Sequence, residues 1–392
     1  MPPSSSAEDL GQRTGKVKKV FGEFGFIACY EFSETDVYYK ASRFRGSPPL
    51  KEGDAVGFHL KRYGERLVAH RIIRAGDMPD RLLDWAYLGH LPKVLGELQE
   101  FALDERWEFK NKPRDPDRPL PILYNHLLHT YGRLVFEGKV LVNDDAGLTA
   151  LNTGLVDSRY EMVYALFLPN RHPRTKWRLE GFCVAGEGVL CQKIARHFNP
   201  LPSAAHYFDK PADLLYDTRV GKPELDWRHI IIDRLDRYPA EFLEDHLPSG
   251  TEVGEVTSMS PEDRKQHFKE LGEAIESNNK CYRGIMNRVK DAVNLAIKRT
   301  SWNFKTAVPQ YYPRIRRLQL LLPICLISDE RVDVALAVEK TDVGSYIGHT
   351  VLSLDWAYMN ARLICRPDSD WLEPGEIDEG LIEEEEEDEE EE

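Results

Sequence analysis

Lys16–Phe44, KVKKVFGEFGFIACYEFSETDVYYKASRF, is the stretch whose reading decides the fold of the amino-terminal part of the chain. Two short runs inside it alternate with a period of two, the pattern of a strand with one face inside and one outside. In Phe24-Gly25-Phe26-Ile27 the two aromatics fall on one face, and in Val37-Tyr38-Tyr39-Lys40 the shared face belongs to Tyr38 and Lys40. Phe24, Phe26, Tyr38 and Lys40 are therefore expected to form one outer surface of rings beside a cation, with Ile27 and Val37 filling the inside. Gly25, between the rings, is expected to leave the backbone open to close approach. Rings that bases lie on, with charge for the phosphates, are what unpaired nucleotides need. Phe24, Phe26 and Tyr38 are thus candidates for stacking, and Lys16, Lys18, Lys19, Lys40 and Arg43 for neutralising phosphates. The bland alternative is that Phe24 and Phe26 are ordinary core of a small barrel.

The stretch also resembles a cold-shock domain, a five-stranded OB-like barrel. Gly15, Val17 and Lys18 match its first strand, Phe24-Gly25-Phe26-Ile27 its first ribonucleoprotein motif, and Asp36-Val37-Tyr38-Tyr39-Lys40 its second. Leu50, Glu52, Gly53, Asp54, Val56 and Phe58 match the turn into the fourth strand, so the likeness spans residues 15–74. The departures are Lys19 for the usual tryptophan of strand one, Lys40 for the histidine of the second motif, Ala41 for the aromatic after it, and a shorter first hairpin loop. The resemblance implies a barrel that binds single-stranded RNA, single-stranded DNA remaining open, with fewer rings and more charge than its relatives.

A chain of 392 residues is long enough for two or three domains. Its most apolar stretch, Leu318–Ile327, is too short to span a membrane, and MPPSSSAEDLGQ lacks the basic-then-apolar pattern of a secretion signal. The six cysteines are scattered, with no CxxC pair, and read as reduced core residues. A cytoplasmic location is expected from this. The net charge of −14 hides its distribution: sixteen Asp/Glu and no Lys/Arg follow from Asp368 onward, and without those acids the remainder carries +2. Residues 11–76 carry thirteen Lys/Arg against seven Asp/Glu, and residues 280–317 carry ten against Asp291 alone. Two basic zones and an acidic tail are the informative description.

The expected fold class is α+β. Residues 1–10 are expected to be disordered, 11–76 to form the barrel, 80–372 a larger mixed domain with a mainly antiparallel sheet, and 373–392 a disordered acidic tail. Ala75-Gly76-Asp77-Met78-Pro79 reads as a linker, and Asn111–Pro121 as a loop. Two short helices are expected in Asp80–Phe109, divided at Pro92, and one in Ile122–Phe136. KVLVN, LTALNTGL, YEMVYALFLPN, WRLEGFCVA and GVLCQKI, between Lys139 and Ile194, read as strands, with a hairpin at Gly181–Gly188. Trp227–Ile232 reads equally as a strand or a helix start. Helices are expected at Pro261–Ser277, opened by Ser260 as cap, and at Lys280–Lys298. Three closing runs read as LQLLLPICLI and VDVALAVEK, both buried strands, and HTVLSLDWAYMNARLICR, a strand turning helical near Asp355 and placed at the middle of the domain.

Residues 80–371 resemble an uncharacterised bacterial domain family found beside LOTUS-type helix-turn-helix or cold-shock domains. The match rests on Lys139, Asn152-Thr153-Gly154-Leu155, Leu321-Leu322-Pro323-Ile324-Cys325-Leu326, Asp355-Trp356-Ala357-Tyr358, Ala361-Arg362-Leu363 and Arg366-Pro367-Asp368. It implies an RNA-associated role by company and supplies no active site. Within this block Arg283, Asn287, Lys290, Asn294 and Lys298 share one face of the second helix, opposite an apolar stripe, and form a second candidate nucleic-acid surface. Trp302, Phe304, Tyr311 and Tyr312 follow, interleaved with Lys305, Arg314, Arg316 and Arg317. The competing reading is a plain solvated face, which the near absence of acids disfavours.

The alternative class is an RNA-processing enzyme, with phosphodiester chemistry in the α+β domain and the barrel as substrate grip. His229, Asp233, Arg234, Asp236 and Arg237 are its only clustered acid–base residues. His126 and His129 lie one helical turn apart, with no carboxylate completing a metal set, and Asn152-Thr153-Gly154 near Lys139 and Arg159 reads as a functional turn or a simple strand break. No catalytic residue is assigned and no metal or cofactor is expected; a protein partner through the larger domain stays open. The tail EIDEGLIEEEEEDEEEE cannot bury a core and is expected to compete with nucleic acid for the basic zones. Deleting Glu383–Glu392 should tighten RNA binding most at low salt, where charges are least screened. Equal affinity of the full and truncated proteins across a salt series would reject this.

Overall fold

The computed structural model describes residues 8–29, 35–44, 49–74, 78–110, 118–171, 174–341 and 343–378. Residues 1–7, positions 75–77 of the expected linker, positions 111–117 of the expected loop and the acidic run 379–392 lie outside these.

Alternation builds the barrel. Val17, Ile27, Val37, Tyr39, Phe58 and Leu60 are almost wholly buried on the inner face of successive strands. β1 (Glu8–Val20), β2 (Phe24–Cys29), β3 (Val37–Lys40), β4 (Ala55–Tyr63) and β5 (Arg66–Arg74) close in the order β1-β2-β3-β5-β4. All neighbours are antiparallel except β3 and β5, which meet in parallel at Tyr38 and Val68. β1 begins inside the segment 1–10 for which disorder was expected: Glu8 pairs with Arg62 of β4 at 3.1 Å. The composition of that segment concealed the fact that β4 extends far enough to pair with it.

By its contacts the chain divides into two units, one of Met1–Glu105 with Asp115–His206, the other of Arg106–Arg114 with Tyr207–Glu392. This departs from the expected division into 11–76 and 80–372, because the barrel shares a unit with the first of two sheets. The close contact inside that unit is backbone on backbone. Gly57 of β4 points away from the barrel core, and a Cβ there would stand 2.2 Å from the Cα of Gly138.

The rest of the first unit runs α1 (Leu82–Trp85), β6 (Ala86–Tyr87), α2 (Leu91–Phe101), α3 (Pro121–Phe136), β7 (Leu141–Asn143), β8 (Leu148–Val156), β9 (Met162–Pro169), β10 (Trp177–Val184) and α4 (Gly188–His197). Its sheet has the order β6-β10-β9-β8-β7, antiparallel except for the short parallel pairing of β6 with β10. Pro92 opens α2, where a proline lacking its N–H costs nothing. The run GVLCQKI, read as a strand from its apolar start, is α4, and the expected hairpin at Gly181–Gly188 is the end of β10 and the turn into this helix. Burial of Cys191, Ile194 and Phe198, three and four residues apart, explains the helix, since that spacing puts them on one face.

The second unit contains β11 (Glu224–Leu225), α5 (Ala240–Glu244), α6 (Pro261–Ser277), α7 (Asn279–Trp302), β12 (Val308–Tyr312), β13 (Arg317–Ile324), β14 (Val334–Lys340), β15 (Tyr346–Leu352) and α8 (Leu354–Ile364). Ser260 Oγ accepts the Asp263 amide at 3.1 Å and caps α6. Trp227–Ile232 resolves into a wide helical turn with Ile230 and Ile231 wholly buried. The sheet order is β11-β15-β14-β13-β12, again antiparallel except at the two-residue first strand. The final apolar run does pass from strand to helix at Leu354, but β14 takes the middle place it was expected to hold. Both sheets thus share one plan: a two-residue strand, helices, a four-strand meander whose last strand pairs in parallel with the first, and a helix.

Among the described residues no cysteine is joined in a disulfide, and no helix is long and apolar enough to cross a membrane.

Candidate nucleic-acid interface

Strand register puts the expected residues of the barrel together. Lys19, Phe26 and Tyr38 are direct cross-strand partners on β1, β2 and β3, and Phe24 sits opposite Lys40. Direct partners of antiparallel strands project from the same face. An irregularity in β1 between Val17 and Lys19 lets Lys18 and Lys19 both face outward, although they are adjacent. Gly25 is required, though for a reason other than the one expected. Its close neighbours lie within the barrel: a Cβ would stand 2.4 Å from the Lys19 carbonyl oxygen and 2.5 Å from the buried Tyr39 ring. Burial, reinforced by the Asp54 carboxylate, also keeps the Tyr39 phenol protonated by raising its pKa.

The outer rings form a row. Phe21 stacks on Phe24 at 5.3 Å between centroids, Phe24 stacks on Tyr38 at 5.8 Å, and the Arg66 guanidinium caps Tyr38 at 4.0 Å. Phe26 stands edge-on to all three rings at 6.0–6.3 Å, half-buried as their footing. The row is exposed at its Phe21 end, where Phe21 is 52 % and Phe24 36 % accessible. Tyr38, expected to be an open stacking face, is covered on one side by Arg66. Phe21 and Arg66 were not singled out in the sequence. Phe21 lies three residues before Phe24 across a tight turn, and Arg66 alternates outward with Val68 and His70 on β5, a strand whose adjacency to β3 only the barrel closure reveals.

Among the described residues, Lys16, Lys19 and Lys40 are exposed and make no ion pair. Lys18 holds Asp36 at 2.9 Å, a half-exposed pair worth little in stability but one that engages its charge. Arg43 contacts His70 Nδ1, and His70 stacks on Tyr63 at 6.3 Å, extending aromatic surface along β5.

The second candidate surface is the outward face of α7. Arg283, Asn287, Lys290 and Lys298 are exposed there, while Ile285, Val289, Ala292, Val293 and Ala296 are buried against the second unit's core. At 1.5 Å per residue, Arg283 to Lys298 covers about 22 Å of helix. Asn294 is the exception: it is half-buried with Oδ1 shut away from solvent, so it is not an open reader of base edges. Arg288 and Arg299, on the flank of the helix, bond the Leu326 and Asp329 carbonyls and brace the loop after β13.

The acid–base candidates disperse into structural contacts. His229 Nδ1 lies 3.3 Å from Asp233, which Arg228 holds at 3.0 Å, while Arg237 donates to the Val351 carbonyl at 2.7 Å. Lys139 bridges Glu137 at 2.7 Å and the Ala204 carbonyl at 2.9 Å, and Glu137 takes Arg133 at 2.6 Å. Thr153 Oγ1 donates to the Val163 carbonyl at 2.8 Å, and Asn152 accepts from the Gly154 amide at 2.9 Å. These residues clasp the segment after α4 and shape a bulge in β8, as the strand-break reading of Asn152-Thr153-Gly154 expects. His126 Nε2 lies 3.0 Å from the Thr153 carbonyl, and burial lowers the His129 pKa to about 4, so it is neutral near pH 7. Among the described residues no cluster of three His, Cys, Asp or Glu is placed to hold a metal.

The fold defines an OB-like barrel carrying an outward aromatic row, joined to two α+β sheets of common plan. Residues 98–371 match the family described as Domain of unknown function (DUF3825), and the chain belongs to that family. The family is defined without a function or LOTUS-type companions, so that expected association gains no support. Among solved structures, drosophila Unr CSD456 is similar at 14 % identity with a TM-score of 0.15, covering 45 % of this chain and 63 % of that chain. The chain therefore spans less than two thirds of that structure's length. No curated protein matches.

Proposed function

We propose that this protein binds single-stranded nucleic acid, RNA by preference, through the outer face of β1–β3. The observation that carries the reading is the exposed row ending at Phe21 and Phe24, flanked by Lys16, Lys19 and Lys40, on strands whose alternate residues already fill a closed core. A core explanation for Phe24 fails because that core is complete without it. Exposed rings stack bases of any sequence, and the lysines meet phosphates. The exposed cations of α7 supply a further basic surface in the second unit, and the acidic tail competes for both.

The test is fluorescence anisotropy with a labelled single-stranded RNA, the matching DNA and a duplex across a salt series. Three unpaired lysines acting on phosphates give a slope of log affinity against log salt of about −2, from roughly −0.7 per phosphate on a single strand. The single strand should bind at least about tenfold more tightly than the duplex, which hides its ring faces. Equal binding of duplex and single strand would reject stacking as the mode of recognition.

A further inference from the structure

Trp302 is 93 % exposed, more than any other large apolar side chain among the described residues, and Phe304 follows at 61 %. Trp302 and Phe304 leave two bare aromatic faces close together in sequence at the end of a packed helix. Trp302 stands at the rim of a cavity of about 690 Å³, within the range of small-molecule sites. Lys298, Asn303, Lys305, Asp368 and Trp371 share the lining. Trp371 is fixed, because its Nε1 donates to the Thr306 carbonyl at 2.9 Å. Lys305 is held by Asp368 at 2.5 Å. Lys298 makes no ion pair among the described residues, nor does Asp370, which also lines the cavity.

We propose that this cavity is a nucleotide-binding site in the second unit, taking a guanine nucleotide with its base on Trp302 and its phosphate at Lys298. A flat ring face beside a cation selects a ligand that is both planar and anionic. Asn303 Oδ1 accepts the Lys305 amide at 3.1 Å, which leaves its Nδ2 to donate to guanine O6, and the Asp370 carboxylate accepts from the N1–H and amino group of guanine together, where uracil has no such donor pair. Lys305 joins the phosphate when the incoming anion displaces Asp368, whose side chain is 84 % exposed, so that the pair is weak. No bond is made or broken. The site uses none of the barrel's rings, so it depends on the preceding reading only for the class of ligand. The ligand is a free nucleotide or the last nucleotide of a strand.

The experiment is calorimetric titration of the full-length protein with GMP, UMP and inorganic phosphate, in wild type, Trp302→Ala, Lys298→Glu and Phe24→Ala/Phe26→Ala. Trp302 and Lys298 are exposed, so neither change disturbs the core. GMP should lose about tenfold or more in affinity with Trp302→Ala and with Lys298→Glu, and the double barrel variant, which removes stacking on the barrel's own rings, should keep that tighter phase. UMP should bind more weakly than GMP, and phosphate alone should not register. Repeating the titration with a short RNA ending in 5′-phosphoguanosine separates the sources: tighter binding than GMP assigns the site to strand ends, equal binding to free nucleotides. GMP binding unchanged by both second-unit substitutions, or no GMP binding at all, overturns the proposal. Loss of GMP binding with the barrel variant alone would move the ligand to the barrel and overturn it equally.

Discussion

Replacing Phe24 and Phe26 together by alanine should lower affinity for single-stranded RNA about 100-fold or more. Each base–aromatic stack is worth ~1–3 kcal/mol, and the two rings act differently. Phe24 offers an accessible face, while Phe26 stands edge-on beneath Phe21, Phe24 and Tyr38 and holds their planes. Removing Phe26 alone therefore loosens a row that binds as a unit, at about tenfold or more, and removing both leaves Phe21 without a stacking partner. The barrel should survive, because its core is made by the opposite face, where Val17, Ile27, Val37 and Tyr39 are buried. Anisotropy measures the loss, with circular dichroism as the control for folding. A double variant that folds normally and binds within threefold of wild type would end the claim that the rings carry recognition.

Gly57→Val should separate the barrel from the rest of its unit while leaving that RNA surface intact. The added Cβ would lie 2.2 Å from the Gly138 Cα and 2.7 Å from the carbonyl oxygens of Glu137 and Gly138, where carbon atoms need about 3.5–4.0 Å. Every obstacle is backbone, so no side chain can swing aside. Gly138 is itself pinned at φ +65°, in a turn whose neighbour Glu137 is tied to Arg133 and Lys139. Inside the barrel, by contrast, β4 keeps its ladders to β1 and β5 and its core residues Val56 and Phe58. The weaker joint yields, at about 1–3 kcal/mol or more for a forced overpacking. Scanning calorimetry should then show a separate, lower-temperature transition, with RNA affinity within about threefold of wild type. A single transition at the original temperature would show that the contact yields without strain.

The barrel was readable from the chain because its signals are local and mutually consistent: alternation in Phe24–Ile27 and Val37–Lys40, and inward residues that are β-branched or aromatic. The long helix α7 was readable for the same reason, its apolar stripe running at one period for its whole length. The misreadings arose where local pattern is short or where the decisive neighbour is distant in sequence. The apolar start of α4 is too brief to show its period, which only Ile194 and Phe198 complete. The cover of Arg66 over Tyr38 depends on β5 lying beside β3, a parallel pairing that sequence order hides. Asn152, Thr153 and Lys139 carry the residue types of a site, yet their partners are carbonyls fifty or more residues away or across a strand, such as Ala204, Pro202 and Val163. Phe21 carries no such signal, because a turn residue falls outside any alternation.

The common plan of the two sheets makes their elements comparable. Strand orders β6-β10-β9-β8-β7 and β11-β15-β14-β13-β12 arise in the same chain sequence. In that register α3 and α7 are counterparts, each leading into the meander and packing on its second strand. Their fates differ: α3 is bound into the clasp of Arg133, Glu137 and Lys139, whereas α7 keeps lysines facing water. One helix position thus serves two ends, and substitutions in the clasp of α3 should cost stability where substitutions of the outward lysines of α7 should not.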